Sequence, residues 1–204
     1  KEHSEQISVE AAVVDLCGIK RKVCTELTPI AAAKGFSFIG GHPMAGSERG
    51  GFVNAKDHLF CGAAMILTPT ETTDIHLLEA LKRFFTDIGF GSITFTTPEE
   101  HDRIIAFTSQ LAHITSSAYI KSPEAQRNRG FAAGSYRDMT RVALLDEDMW
   151  TELFLANKDF LTDELSLLIE NLNDYLATIK NEDAKTLRAL LKDGREKKST
   201  AGGN

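Results

Sequence analysis

Three clusters in this 204-residue chain have residue types and spacings that could do chemistry. The first, residues 40–52 (GGHPMAGSERGGF), packs five glycines, a proline and one histidine into thirteen residues. It follows the apolar run Phe36-Ser-Phe-Ile39, which reads as a short buried strand, so His42 is expected just past the strand's carboxyl end. Ligands of open α/β sheets bind there, and an imidazole can accept or polarise a hydroxyl proton near neutral pH. The ordinary alternative is a loop histidine at a turn. The second cluster is Ser109 and His113, four apart and hence on one face of a helix. They form either a solvent-facing polar stripe or, given apolar Leu111, Ile114 and Ala118, a partly buried polar pair. The third spans residues 130–141, where Arg137 and Arg141 stand one turn apart. Asp138 to Arg141 is an ordinary intrahelical ion-pair spacing, but a guanidinium also offers a planar fork to a substrate carboxylate. Trp150 either walls such a pocket or fills core.

Other templates fail. Ser47 in Gly46-Ser-Glu-Arg-Gly50 is misplaced for a G-x-S-x-G nucleophile elbow. The sequence contains no G-x-x-x-x-G-K-[ST] phosphate loop and no G-x-G-x-x-G turn. No Cys/His spacing resembles a zinc site, so no metal is expected. Glu99 and Glu100 are adjacent and suit a helix start.

The elements that must position these residues change character along the chain. Apolar runs at residues 11–14, 36–39, 63–67 and 92–95 read as strands. A helix from about Ile19, interrupted near Pro29 and closed by Gly35, separates the first two. A second, with Ile75, Leu78, Leu81 and Phe85 at helical spacing, ends at Gly89. This alternation predicts an α/β layer with a largely parallel sheet. From Thr97-Pro98-Glu99-Glu100 onward, a capping-box start introduces an all-helical region. A long helix is expected from Pro98 to about Ile120, and Asp146 caps another. Leu161, Leu165, Leu168, Leu172, Tyr175 and Ile179 then form a sustained apolar seam, either packed intramolecularly or part of a subunit interface. The tail from about Gly194 is expected to fray. The fold class is therefore α/β plus all-α: a partial Rossmann-like sheet over residues 1–97 and a helical domain over 98–204.

Composition sets the outer bounds. A formal charge of −6 argues against general nucleic-acid binding. No apolar run approaches eighteen residues and no signal peptide precedes the first strand, which predicts a cytoplasmic protein without membrane insertion. Cys17, Cys24 and Cys61 are odd in number and sparse, as expected of reduced thiols.

Taken together, Val14-Asp-Leu-Cys-Gly-Ile-Lys20, Gly41-His-Pro-Met-Ala-Gly-Ser-Glu48, Ser109-Gln-Leu-Ala-His113, Tyr136-Arg-Asp-Met-Thr-Arg-Val-Ala143 and Trp150 resemble the prephenate dehydrogenase family, in the family order. The resemblance implies oxidative decarboxylation of prephenate to 4-hydroxyphenylpyruvate in tyrosine biosynthesis, with hydride passing to NAD or NADP. It implies that His42 accepts the hydrogen bond of the substrate's ring hydroxyl and that Arg141 binds a substrate carboxylate. Ser109 and His113 would complete the substrate pocket, which Trp150 lines. Glu48 and Asp138 would form an ionic network at its mouth, Asp138 reaching across a homodimer built by the helical domain. Cys17 and Gly18 fall on the cofactor-facing turn. There the family often has a serine where Gly18 stands, its hydroxyl supporting the histidine. The resemblance further implies roughly eighty to ninety residues ahead of Lys1, carrying the first strands and the pyrophosphate loop of a dinucleotide fold. Without them the 204-residue chain is expected to bind NAD(P) poorly. Arogenate dehydrogenase and a non-catalytic, dimeric ligand-binding remnant are the alternatives.

Overall fold

The computed structural model describes residues 2–46, 51–128 and 130–201. Four strands, β1 (Ala12–Val14), β2 (Ser37–Pro43), β3 (Ala64–Thr68) and β4 (Ser92–Phe95), form one sheet in the order β1-β2-β3-β4. Helix α1 (Arg21–Lys34) connects β1 to β2, and α2 (Ile75–Asp87) connects β3 to β4. Both crossovers return the chain parallel. No α-helix lies between β2 and β3 among the described residues, and these strands pair antiparallel, with His42 opposite Ile66 and Pro43 opposite Met65. Two of the three pairings are thus parallel, as the alternation of elements suggested, and the β2–β3 pairing is the antiparallel one.

Successive β2 side chains serve opposite faces, as the pleat requires. Phe38 packs with Ala31 and Phe36 beneath α1. Ile39 joins Met65, Leu67, Leu81, Phe85 and Phe90 beneath α2. Two expectations about this half are corrected. Pro29 lies inside α1 without ending it, and the helix stops at Gly35, whose φ of 81° is left-handed. And β2 runs on to Pro43, so His42 is a strand residue and not a loop residue.

Gly40 and Gly41 show why this strand is glycine-rich. A Cβ on Gly40 would stand 2.7 Å from Cys24 Sγ, and one on Gly41 would stand 2.5 Å from the Asp15 carbonyl oxygen and 2.7 Å from Met65 Cε. The Asp15 carbonyl is backbone and has little room to retreat. Gly41→Ala is accordingly expected to cost on the order of 1–3 kcal/mol through overpacking. A melting temperature unchanged from wild type would refute this reading of the β1–β2 approach.

The helical half begins as its residues indicate: Thr97 Oγ1 accepts from the Glu100 N–H at 3.2 Å, with Pro98 in the first turn. The long helix is present, but in three parts: α3 (Pro98–Ile105), a π-helical stretch (Ala106–Leu111) and α4 (Ala112–Tyr119). Then come α5 (Gly134–Thr140), α6 (Glu147–Ala156), α7 (Lys158–Lys180) and α8 (Ala184–Thr200). Asp146 caps α6, accepting from the Met149 N–H at 2.9 Å. Helix α8 runs through Gly194 to Thr200, contrary to the expected fraying of that segment.

Packing divides the chain into two compact units, Lys1–Leu161 and Thr162–Asn204. In the second, the apolar seam is only partly covered: Leu172 and Ile179 remain 54% and 60% exposed. Among the described residues, no helix is long and apolar enough to cross a membrane.

Candidate active site

The turn after β1 is tied to the end of β2 by a buried ion pair. Lys20, with no exposed surface, donates from Nζ to the Asp15 carboxylate and to the Gly41 carbonyl at 2.5 Å. Asp15 in turn accepts from the Gly41 N–H through Oδ1 and from the Cys17 N–H through Oδ2, each at 3.0 Å. This ties the backbone of the turn after β1 to the strand residue that precedes His42. Gly18, on the same turn, faces the imidazole: a Cβ there would lie 3.9 Å from His42 Nε2 and 3.6 Å from Leu153 of α6.

The other nitrogen of His42 points into the protein. His42 Nδ1 lies 2.8 Å from His101 Nε2, and His101 Nδ1 lies 2.7 Å from Asp102 Oδ1. Both His101 and Asp102 are fully buried in α3. Asp102 also accepts the backbone N–H groups of Lys20 at 2.7 Å and Arg21 at 2.9 Å, at the amino end of α1. No side chain of α1's own N-terminus caps it, so a carboxylate 82 residues away does. Burial pushes the Asp102 carboxyl up, but the hydrogen bonds from His101, Arg21 and Lys20 prevail and hold it below the usual carboxylate range.

A second buried network seats α6 beside this group. Asn157, fully buried, donates to the Asp102 carbonyl and to Gln110 Oε1, both at 2.8 Å, and Gln110 donates to the Leu153 carbonyl at 3.2 Å. Arg21 completes it, donating to Asn157 Oδ1 at 2.8 Å and through both terminal nitrogens to Asp159. One turn before Leu153, Trp150 lies against the His113 ring, with centroids 4.1 Å apart, and it also touches Phe154. His113 Nδ1 is 2.8 Å from the Ser109 carbonyl. A carbonyl only accepts, so Nδ1 carries the proton and Nε2 is free to accept from a ligand. The Ser109–His113 contact therefore runs through the serine's backbone, where the spacing suggested paired side chains.

The structure thus joins His42 to Gly18 and His113 to Trp150, with Leu153 linking the two groups along α6. Cys17 is exposed on the turn, and burial, then Asp15, pushes its thiol up. Asp138 on α5 and Arg141 at its end are both exposed, and neither makes a side-chain ion pair or hydrogen bond with another described residue. The intrahelical Asp138–Arg141 ion pair, the ordinary alternative for this spacing, is absent among these residues. Glu48 lies outside the described residues. His101, Asp102, Lys20, Asp15, Gln110 and Asn157 were not singled out from the sequence. The available signal was His101, Asp102 and Ile105 on one face of a predicted helix, a polar pair placed in an apolar stripe.

His42 is half-buried, and its pKa is pushed down to about 4, first by burial and then by His101 and Lys20, against the pull of Asp15 and Asp102. The ordinary value is 6.5, so between pH 6.5 and 4 the unfolded chain binds more protons than the folded one. Stability should therefore fall as pH drops through that window, by up to about 3 kcal/mol from this group. Asp102, depressed below the ordinary carboxylate value, loses its contribution only at lower pH. Urea midpoints at about pH 7 and about pH 4.5 should differ less in His42→Gln than in wild type. Equal differences would remove His42 as the cause.

Comparison with known proteins fits this geometry. A family model described as the prephenate dehydrogenase nucleotide-binding domain matches residues 1–94, and one described as its dimerization domain matches residues 97–193. Prephenate dehydrogenase of Bacillus subtilis is 31% identical over 195 residues, covering 93% of this chain and 52% of that protein. A crystal structure of Aquifex aeolicus prephenate dehydrogenase, in complex with hydroxyphenyl propionate and NAD+, superposes with a TM-score of 0.82 at 31% identity, covering 99% of this chain and 71% of that one. Synechocystis arogenate dehydrogenase gives a TM-score of 0.76 at 27% identity, covering 98% and 74%. The site stands at the carboxyl end of β2, where α/β folds place ligand chemistry. The chain belongs to the prephenate dehydrogenase family. It spans about half the length of the curated relatives it matches.

Proposed function

We propose that this chain carries the substrate site of an enzyme that oxidatively decarboxylates prephenate to 4-hydroxyphenylpyruvate, with His42 as the catalytic hydrogen-bond acceptor. The observation that carries this is His42 Nε2, turned away from the His101 contact and towards Gly18 on the turn after β1. The ring hydroxyl of the substrate donates to Nε2. As hydride leaves the carbinol carbon, the hydroxyl proton passes to His42 and a carbonyl forms. The ring carboxylate then departs as CO2. Its bonding electron pair moves through the ring to the carbonyl oxygen, which recovers the proton from His42 as the ring becomes aromatic. NAD(P)+, when bound, supplies the hydride acceptor. Cys17 and Gly18 would border its nicotinamide, while the sequence contains no glycine-rich pyrophosphate motif.

In this reading Arg141 holds a substrate carboxylate, and Ser109, His113 and Trp150 enclose the ring end of the pocket. Glu48 and Asp138 place charge at its mouth. Residues 1–97 form the nucleotide-binding part and 98–204 the substrate and dimerisation part. A homodimer forms through the helices, with Asp138 reaching the partner's pocket. The dimerization-domain match and the exposed Leu172, Ile179 and Leu191 support that assembly. The setting is cytoplasmic tyrosine biosynthesis. Likeness to an arogenate dehydrogenase supports a second reading, in which the amino-acid analogue is the substrate.

The test uses this chain and a protein in which a complete dinucleotide-binding domain precedes it. Each is given NAD+ or NADP+ with prephenate or arogenate. Prephenate-dependent cofactor reduction with release of 4-hydroxyphenylpyruvate is expected. Turnover of arogenate alone selects the second reading, and turnover of neither rejects both.

A further inference from the structure

We infer that His101 and Asp102 are positioning residues that hold His42 in the tautomer with a protonated Nδ1 and a bare Nε2, through the contact series Asp102–His101–His42. The argument runs outward from the buried end. The Asp102 carboxylate can only accept, and four donors converge on it: the Lys20 and Arg21 backbone N–H groups, Arg21 Nε at 3.4 Å, and His101 Nδ1. His101 Nδ1 therefore carries a proton. In a neutral imidazole the other nitrogen then accepts, so His101 Nε2 accepts the hydrogen bond that His42 Nδ1–H donates across 2.8 Å. One lone pair remains, on His42 Nε2, at the face shared with Gly18. The series sets proton placement as well as ring orientation, as outer partners do for catalytic and metal-bound histidines.

Both positioning side chains are sealed from solvent, so water does not compete for these nitrogens. The charged groups that face His42 are Asp15 and Lys20 from the turn after β1, and Asp102 behind His101 on α3. Lys20 is already paired with Asp15 and Gly41, and α6 contributes apolar Leu153. None of these offers His42 Nδ1 an alternative acceptor. The buried low pKa of Asp102 agrees with a carboxylate that keeps its charge.

The catalytic value of this tautomer rests on the proposed role of His42, but its existence does not, and the experiment separates the two. Long-range nitrogen–proton spectra of imidazole-labelled wild type, His101→Phe and His101→Gln are recorded on this chain above pH 7. In wild type, His42 is expected wholly as the Nδ1–H tautomer. In His101→Phe, where the acceptor is gone, an Nε2–H population should appear. In His101→Gln, whose amide oxygen can accept, the wild-type tautomer should be at least partly restored. A wild-type His42 protonated on Nε2, or a His101→Phe spectrum unchanged at His42, overturns the inference. In the protein with a complete dinucleotide-binding domain, His101→Phe should lower kcat at least ten-fold with KM near wild type, and Gln should recover part of that loss. An altered tautomer with unchanged kcat would uphold the tautomer assignment and reject the catalytic reading of His42.

Discussion

In a protein that joins this chain to a complete dinucleotide-binding domain, His42→Asn is expected to lower kcat by about 10²–10⁴-fold with KM changed only a few-fold. The asymmetry follows from where the side chain acts. In the proposed role, its hydrogen bond to the substrate hydroxyl strengthens as hydride departs, because the proton becomes more acidic as the carbonyl forms. The contact is therefore worth more in the transition state than in the bound substrate. Asparagine can still accept a hydrogen bond but cannot take the proton. With the imidazole's affinity for protons already lowered by burial, the group in that role would receive the proton late. Steady-state kinetics with prephenate, together with calorimetry of a substrate analogue, provide the check. An unchanged kcat removes His42 from the chemistry, and a loss confined to KM makes it a binding residue.

Asp102→Ala is expected to be the most destabilising single change, costing on the order of 3–5 kcal/mol. Truncation removes the acceptor of four donors at once, two of them backbone N–H groups at the start of α1, and removes the negative charge that complements that helix end. Asp159→Ala provides the contrast. Asp159 also pairs with Arg21, and that hydrogen bond holds its carboxyl well below the usual range, yet its side chain is 55% exposed. Water can replace much of what is lost there, so the cost should stay within about 1 kcal/mol. Urea unfolding of the two variants measures the difference. Equal losses would show that the Asp102 contacts carry no special weight.

These two residues also mark how far the sequence alone could be read. His42 was visible because its neighbours are unusual: glycines, a proline and the end of an apolar run. The ordering Ser109, His113, Arg141 and Trp150 carried the family resemblance with it. Asp102 had no such local sign. It follows two glutamates and a histidine near a helix start, where acidic residues are common for dipole reasons alone, so its burial was hidden among ordinary capping charges.

The helix starts at Thr97 and Asp146, the stop at Gly35, and the strand at residues 92–95 were determined by the sequence itself. Caps, glycine conformations and apolar periodicity act over a few residues. Tertiary structure alone decided that β2 continues through His42, because the strand's second half is held by antiparallel pairing with β3. It also set the company of His42. The contact with His101 spans 59 residues and the cap that Asp102 gives α1 spans 82. Such pairings leave no trace in local spacing. They arise only when the sheet and α3 close around a shared polar interior, where every buried donor must find an acceptor.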